Sequence, residues 1–205
     1  MEKDRERLEL LTLAPSREQR KALVDNILAV YDRANADQLA KGMSWYSTAH
    51  DLAGLVGAGD YSKGAGVIAA LSVNTGWERN KDLAFAISQG KKAGHFPKVL
   101  EKVGAIMAGE NPLAVLGKGL KTLNFYMNIH QPEHTGAVTI DRHAHDVARN
   151  QVWGNRNRAL TTGTRYAILK QAYRDASALR GVRPHEMQAV TWVVWTDESP
   201  HARKY

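Results

Sequence analysis

The stretch GKGLKTLNFYMNIHQPEHTGAVTIDRHAHDVARN, residues 117–150, decides how this chain is read. Gly117 and Gly119 stand one residue apart around Lys118. Closely spaced glycines let a backbone turn tightly and expose its N–H groups. A helical pattern starts near Leu120, so the unpaired amides of its first turn point into the same turn, a geometry that binds a phosphate. Lys118 adds a positive charge there, and Lys121 follows inside the first helical turn. The apolar run AVTI then leads to Asp141, which opens a further short helical pattern ending near Arg149. By itself a Gly-x-Gly is also compatible with an ordinary helix–helix turn.

Outward from this stretch nearly every segment reads as helix. Ser16 with Gln19 has the spacing of a capping box, and Leu23, Val24, Ile27, Leu28 and Tyr31 form one apolar stripe behind it. Residues 35–57 read as one helix loosened around Gly42, and Gly57, Gly59 and Asp60 as a break. Residues 61–74 are apolar enough for a buried helix, although their Val and Ile content leaves a strand open. Helices are expected over Trp77–Gln89 and Phe96–Met107, and again in two closing segments, TRYAILKQAYRDASALRG and RPHEMQAVTWVVWTDE. Pro184 sits where a helix start tolerates proline. Short linkers between many helices predict one all-α domain, an orthogonal helical bundle over residues 1–205, with its core at 67–150 and C-terminal helices at 164–197.

The chain has 205 residues, enough for a sizeable core. Its 28 Lys and Arg against 21 Asp and Glu give a net charge of +7, which favours a polyanionic partner, nucleic acid first. There is no cysteine, which excludes disulfides, a cysteine nucleophile and a thiolate-bound cluster, and suits a reducing cytoplasm. No run of about 18 apolar residues is present, so no membrane span is expected. The charged opening MEKDRERLEL has no apolar core and does not read as a secretory signal.

The residues around the glycine turn carry a resemblance. LGKGLKTLN, with Gly117, Gly119, Lys121, Thr122 and Asn124, is similar to the hairpin and second helix of the helix–hairpin–helix DNA glycosylases, the superfamily of bacterial endonuclease III. TIDRHAHDVAR follows at the family's interval, with Asp141 at a helix start and Arg149 near its end. Upstream, GVIAALSVNTGWERNKDLA resembles the family's early helix pair, with Ser72, Asn74 and Asn80 in matching places. The resemblance runs from Val67 to Arg149. Leu116 replaces the usual proline before the hairpin, and the iron–sulfur cysteines are absent. The ending PHEMQAVTWVVW departs from endonuclease III and, with TIDRHAHD, resembles phage-encoded relatives associated with hypermodified bases.

The resemblance implies two helical sub-domains flanking an active-site cleft, and an enzyme that cleaves the N-glycosidic bond of a flipped base in DNA, with Schiff-base lyase chemistry as an extension. That cleavage builds positive charge on the sugar. A carboxylate stabilises the charge or activates the nucleophile, and a neutral amine can attack C1′ directly. Asp141 and Lys121 are the residues the resemblance assigns to these roles. Asp141 is also a natural helix cap, and Lys121 also reads as a solvated lysine or a phosphate contact. Gly117, Lys118, Gly119, Thr122, Asn74 and Arg149 are the implied DNA contacts, with Asn74 placed to fill the gap a flipped base leaves.

A flipped base is read by stacking and by edge hydrogen bonds. Gln188 and Trp192 are four apart and share a helix face, and His143 lies beside Asp141, so these three are the candidate base pocket. Core packing is the competing role for Trp192, and more strongly for Trp45, Tyr46 and Trp195. His143 and His145 are two apart and diverge on a helix, so no metal site is expected, and no cofactor. The expected partner is duplex DNA, bound by a monomer in the cytoplasm, that of the host cell if the chain is phage-encoded. Two other functions stay open: a same-fold enzyme of base or nucleotide modification, and a non-catalytic DNA-binding module.

Overall fold

In the computed structural model, residues 15–154 and 157–198 are described, and within them the chain is all-helical with no strand. Eleven helices follow in order: α1 (Arg17–Tyr31), α2 (Ala36–Met43), α3 (Trp45–Val56), α4 (Tyr61–Leu71), α5 (Trp77–Ser88), α6 (Pro97–Met107), α7 (Pro112–Leu116), α8 (Leu120–His130), α9 (Arg142–Arg149), α10 (Gly163–Arg180) and α11 (Pro184–Glu198). The charged opening segment and residues 155–156 of the polar loop after α9 lie outside the described residues. None of these helices is long and apolar enough to cross a membrane.

The helices form two compact units. One comprises Trp45–Ala137, and the other is drawn from residues up to Ser44 and from Val138 onward. The Trp45–Ala137 unit is organised on α4, where every residue from Gly64 to Leu71 is buried, which settles the helix-or-strand ambiguity of this apolar run. Helices α3, α5, α6, α7 and α8 pack around it. Asn80, 1% exposed, ties α5 to α4 by donating Nδ2–H to the Ile68 carbonyl. Trp45 and Tyr46 pack with Trp77 and Phe125, with the Trp45 and Trp77 rings 4.7 Å apart, so both serve the core of this unit.

In the other unit α1 and α2 pack with α9, α10 and α11. The capping box at Ser16 forms as its spacing predicts: the hydroxyl accepts from Gln19 N at 3.1 Å and the Gln19 amide oxygen accepts from Ser16 N at 2.9 Å. Within the α1 stripe Ile27 is fully buried, and so is Val30, which the stripe did not include. The helix expected over residues 35–57 is two helices, and the break falls at Ser44 rather than at Gly42. Ser44 ends α2 with its hydroxyl on the Ala40 carbonyl. Gly42 serves packing instead. A Cβ there would lie 2.4 Å from Val190 Cα, so its missing side chain lets α11 approach the backbone of α2.

Candidate functional site

The sequence-derived site residues divide between the units, Lys121 and the glycine turn in one, Asp141 and its neighbours in the other.

In the Trp45–Ala137 unit, Gly117, Lys118 and Gly119 join α7 to α8. Gly117 has φ 77°, a left-handed conformation that side-chain-bearing residues adopt at a cost. Gly119 has φ −69° and is the N-cap of α8, where no side chain caps the amides. Lys118 is exposed. Lys102, from α6, donates to the Leu116 carbonyl at 2.8 Å, satisfying the end of α7 and adding an ammonium beside Gly117. Lys121 is half-buried and donates Nζ–H to the Ser72 carbonyl at 3.3 Å. Ser72 ends α4, so this contact joins the first turn of α8 to the last turn of α4. Asn74, two residues on, is exposed with φ 51°, a left-handed position that asparagine tolerates better than most residues. Lys121 and Asn74 therefore flank the same end of α4. Elsewhere in this unit a polar cavity of about 320 Å³ is lined by Asp60, Ser62, Lys63, Glu110 and Tyr126 among others. The Ser62 and Tyr126 hydroxyls lie 2.8 Å apart there.

In the other unit, Val138, Thr139 and Ile140 of the AVTI run are buried and belong to no strand. One side chain substitutes for a neighbouring strand: the Tyr166 hydroxyl donates to the Val138 carbonyl at 2.9 Å and accepts from Ile140 N at 3.0 Å. Tyr173, seven residues further along α10, donates to the Ala144 carbonyl, and Asn26 of α1 donates to the Ala148 carbonyl. These three side chains hold the entry and backbone of α9. Asp141 is its N-cap, half-buried, with Oδ1 accepting from Ala144 N at 2.8 Å. His143 is buried beside it, accepts from Arg142 Nε at 3.2 Å and meets Trp192 edge-on with ring centroids 6.3 Å apart. Burial pushes the His143 imidazole below its usual value, favouring the neutral ring. Gln188 is buried at 5% exposure while Trp192 is half-buried. His143 and Trp192 are thus brought together, with Gln188 deeper on the same helix as Trp192.

The strongest polar constellation of this unit was not singled out from the sequence. The Asp146 carboxylate, 3% exposed, receives Arg158 side-on at 2.8 and 2.7 Å, His145 Nδ1–H at 2.9 Å and Trp153 N–H at 3.1 Å. Burial alone would raise its pKa. The hydrogen bonds from Arg158, His145 and the Trp153 amide outweigh burial and bring it to about 2. His145 is fully buried, and its Nε2 accepts from Arg165 at 3.3 Å, which fixes the tautomer with the proton on Nδ1. Burial pushes this imidazole down as well. The signal in the sequence was the pairing of HAHD with an arginine-bearing loop, but no spacing rule connects positions 146 and 158. Among the described residues no group of three or more His, Asp or Glu side chains is placed to hold a metal ion.

No curated protein and no solved structure matches the chain. The model of one family matches residues 12–199, nearly the whole length, and the chain belongs to that family, a family of unknown function (DUF7178).

Proposed function

We propose that the chain is a glycosylase-like enzyme acting on a flipped base in DNA, in an orthogonal helix–hairpin–helix architecture, with Lys121 and Asp141 as its reacting groups. The observation that carries the reading is the turn between α7 and α8. A left-handed glycine, an exposed lysine and an uncapped helix start present amides and positive charge together, as backbone phosphate recognition requires. Asp141 supports it as well. Its Oδ1 accepts from Ala144 N, which keeps the carboxylate at the helix start, and a carboxylate is the group this chemistry calls for to stabilise charge developing on a sugar. Lys121 sits one residue inside the helix, next to an exposed left-handed asparagine of the kind needed to enter a base stack.

The test is incubation of the protein with duplex oligonucleotides carrying a panel of damaged and modified bases, with and without borohydride. We expect base release from at least one duplex. Asp141→Asn, which keeps the capping oxygen and removes the charge, should lower it by orders of magnitude. Borohydride should trap an adduct that Lys121→Gln abolishes. Wild-type turnover in Asp141→Asn, or an adduct that survives Lys121→Gln, removes these assignments. A second reading, DNA binding without catalysis, is favoured by one fact: both residues already have structural contacts, Asp141 as a cap and Lys121 on the Ser72 carbonyl. Salt-dependent duplex binding with neither base release nor adduct across the whole panel would select it. Chemical change of a base without its release would select base modification.

A further inference from the structure

Arg165 is a buried guanidinium beside a neutral partner. It lies in the first turns of α10 and is 9% exposed. Its guanidinium donates to the neutral His145 Nε2 at 3.3 Å and lies 5.6 Å from the centre of the Trp153 ring. Among the described residues no carboxylate is within ion-pair distance of it. Asp146, on the far side of His145, is already filled by Arg158, His145 and the Trp153 amide. A second guanidinium, Arg149 at the end of α9, stands over the same indole at 6.0 Å. Arg149 is near enough to act on Arg165 electrostatically, adding to the effect of burial in disfavouring its charge. Two guanidiniums over one indole, one of them buried beside a neutral imidazole, concentrate positive charge in one place. A buried charge is tolerated when it is paired and hydrogen-bonded, and an imidazole lone pair and a ring face supply only part of that.

We propose that Arg149 and Arg165, converging on Trp153, form an anion site that takes a phosphate group. A guanidinium offers its donors in a planar fork matched to phosphate oxygens, and two of them can grip one tetrahedral anion. Both guanidiniums lie within 6.0 Å of the centre of the Trp153 ring, and the backbone amide of Trp153 is held on Asp146. The Asp146 network thereby has a second consequence: it holds His145 as a lone-pair acceptor that orients Arg165. Arg149 was a candidate backbone contact from sequence. The structure adds Arg165 and Trp153 to it and defines the chemistry. The site lies within one unit and does not depend on the glycosylase reading.

The experiment is thermal unfolding of the full chain in chloride and in inorganic phosphate at equal ionic strength, then with a nucleoside 5′-monophosphate and with a duplex oligonucleotide. We expect Tm to rise by about 5 °C at a ligand concentration roughly a hundred times the dissociation constant. Arg165→Gln should remove that rise, and in chloride it should be as stable as the parent or more so, because it deletes an uncompensated charge. Arg149→Gln, at a half-buried helix end, should reduce the rise without disturbing the fold, so it decides the matter should Arg165→Gln fail to fold. Lys81→Gln, on α5 of the other unit and paired with Glu78, should leave the effect of inorganic phosphate unchanged. A rise with phosphate and the monophosphate alone assigns the site to a terminal phosphate, and a rise that includes the duplex assigns it to the nucleic-acid backbone. No rise in any arm, or a rise that both arginine variants retain, overturns the proposal. Base release plays no part in this readout, so its failure is distinct from failure of the proposed enzyme activity.

Discussion

Around Gly117–Gly119 the chain turns through exposed backbone with no side chain capping the next helix. Around Asp146 it buries a carboxylate and fills it with donors from an arginine, a histidine and a backbone amide. The first region is built from its backbone and a few local residues, so neighbours in sequence are neighbours in space. The second assembles its chemistry from residues that only folding brings together. Removing a side chain from the first should change binding more than stability, whereas removing one from the second should do the reverse.

That contrast is broken most directly at Asp146. Asp146→Asn keeps the shape but leaves Arg158 without its carboxylate. Removing one partner of a buried pair costs about 3–5 kcal/mol, so urea denaturation should show a loss of that order, and an unchanged midpoint would show that the network contributes nothing net. Acid should reach the same network. The Asp146 pKa is about 2 in the fold against an ordinary 3.8, so its contribution is present above 3.8 and is lost as pH falls through 2. This amounts to about 2 kcal/mol. His145 and His143 are both pushed below 6.5 by burial, so the unfolded chain takes up their protons first and stability begins to fall below that pH. Denaturation midpoints at pH 7, 5 and 3 should decline in that order, and Asp146→Asn should flatten the lowest step.

Tyr166→Phe tests the buried AVTI segment. It removes the hydroxyl that serves both Val138 and Ile140, and takes from the buried Ile140 amide its acceptor. A loss of about 1–3 kcal/mol is expected, and amide exchange at Ile140 should quicken more than at α4. The smallest effects belong to the glycine turn. Gly117→Ala meets a left-handed backbone and should cost about 1 kcal/mol. Gly119→Ala has φ −69° and no atom closer than Thr122 Oγ1 at 3.7 Å, so its stability should change by less than about 0.5 kcal/mol. Duplex affinity separates the two glycines from their structural roles. Gly119→Ala should weaken binding even though the fold accepts it, and an unaffected affinity would count against phosphate recognition at this turn.

Much of the local structure was legible in the sequence because it is made of short-range rules. The Ser16 capping box, the proline-led start of α11, the Gly57–Asp60 break and the helix beginning at Leu120 each depend on residues a few positions apart. The glycine turn, Lys121 and Asp141 at its helix start were legible for the same reason. Ser44 shows where this fails: Gly42 carries the stronger intrinsic breaking signal, yet the helix continues through it because α11 packs on that position. Local propensity is a weak preference that tertiary contact overrides.

The sequence by itself determined the helical class, the positions of most helix ends and the glycine turn before α8, because periodicity, caps and glycine geometry act over one or two helical turns. Only the tertiary structure decided that His145 would be a buried, tautomer-fixed partner of Asp146 while His143, two residues away, would face Arg142 and Trp192. It alone decided that Arg158 would meet the Asp146 carboxylate and Arg165 the imidazole of His145. Composition counts arginines, but it does not say which carboxylate each will meet. That depends on which side chains share a low-dielectric interior once the helices have packed, and there the distance between two charges sets their energy.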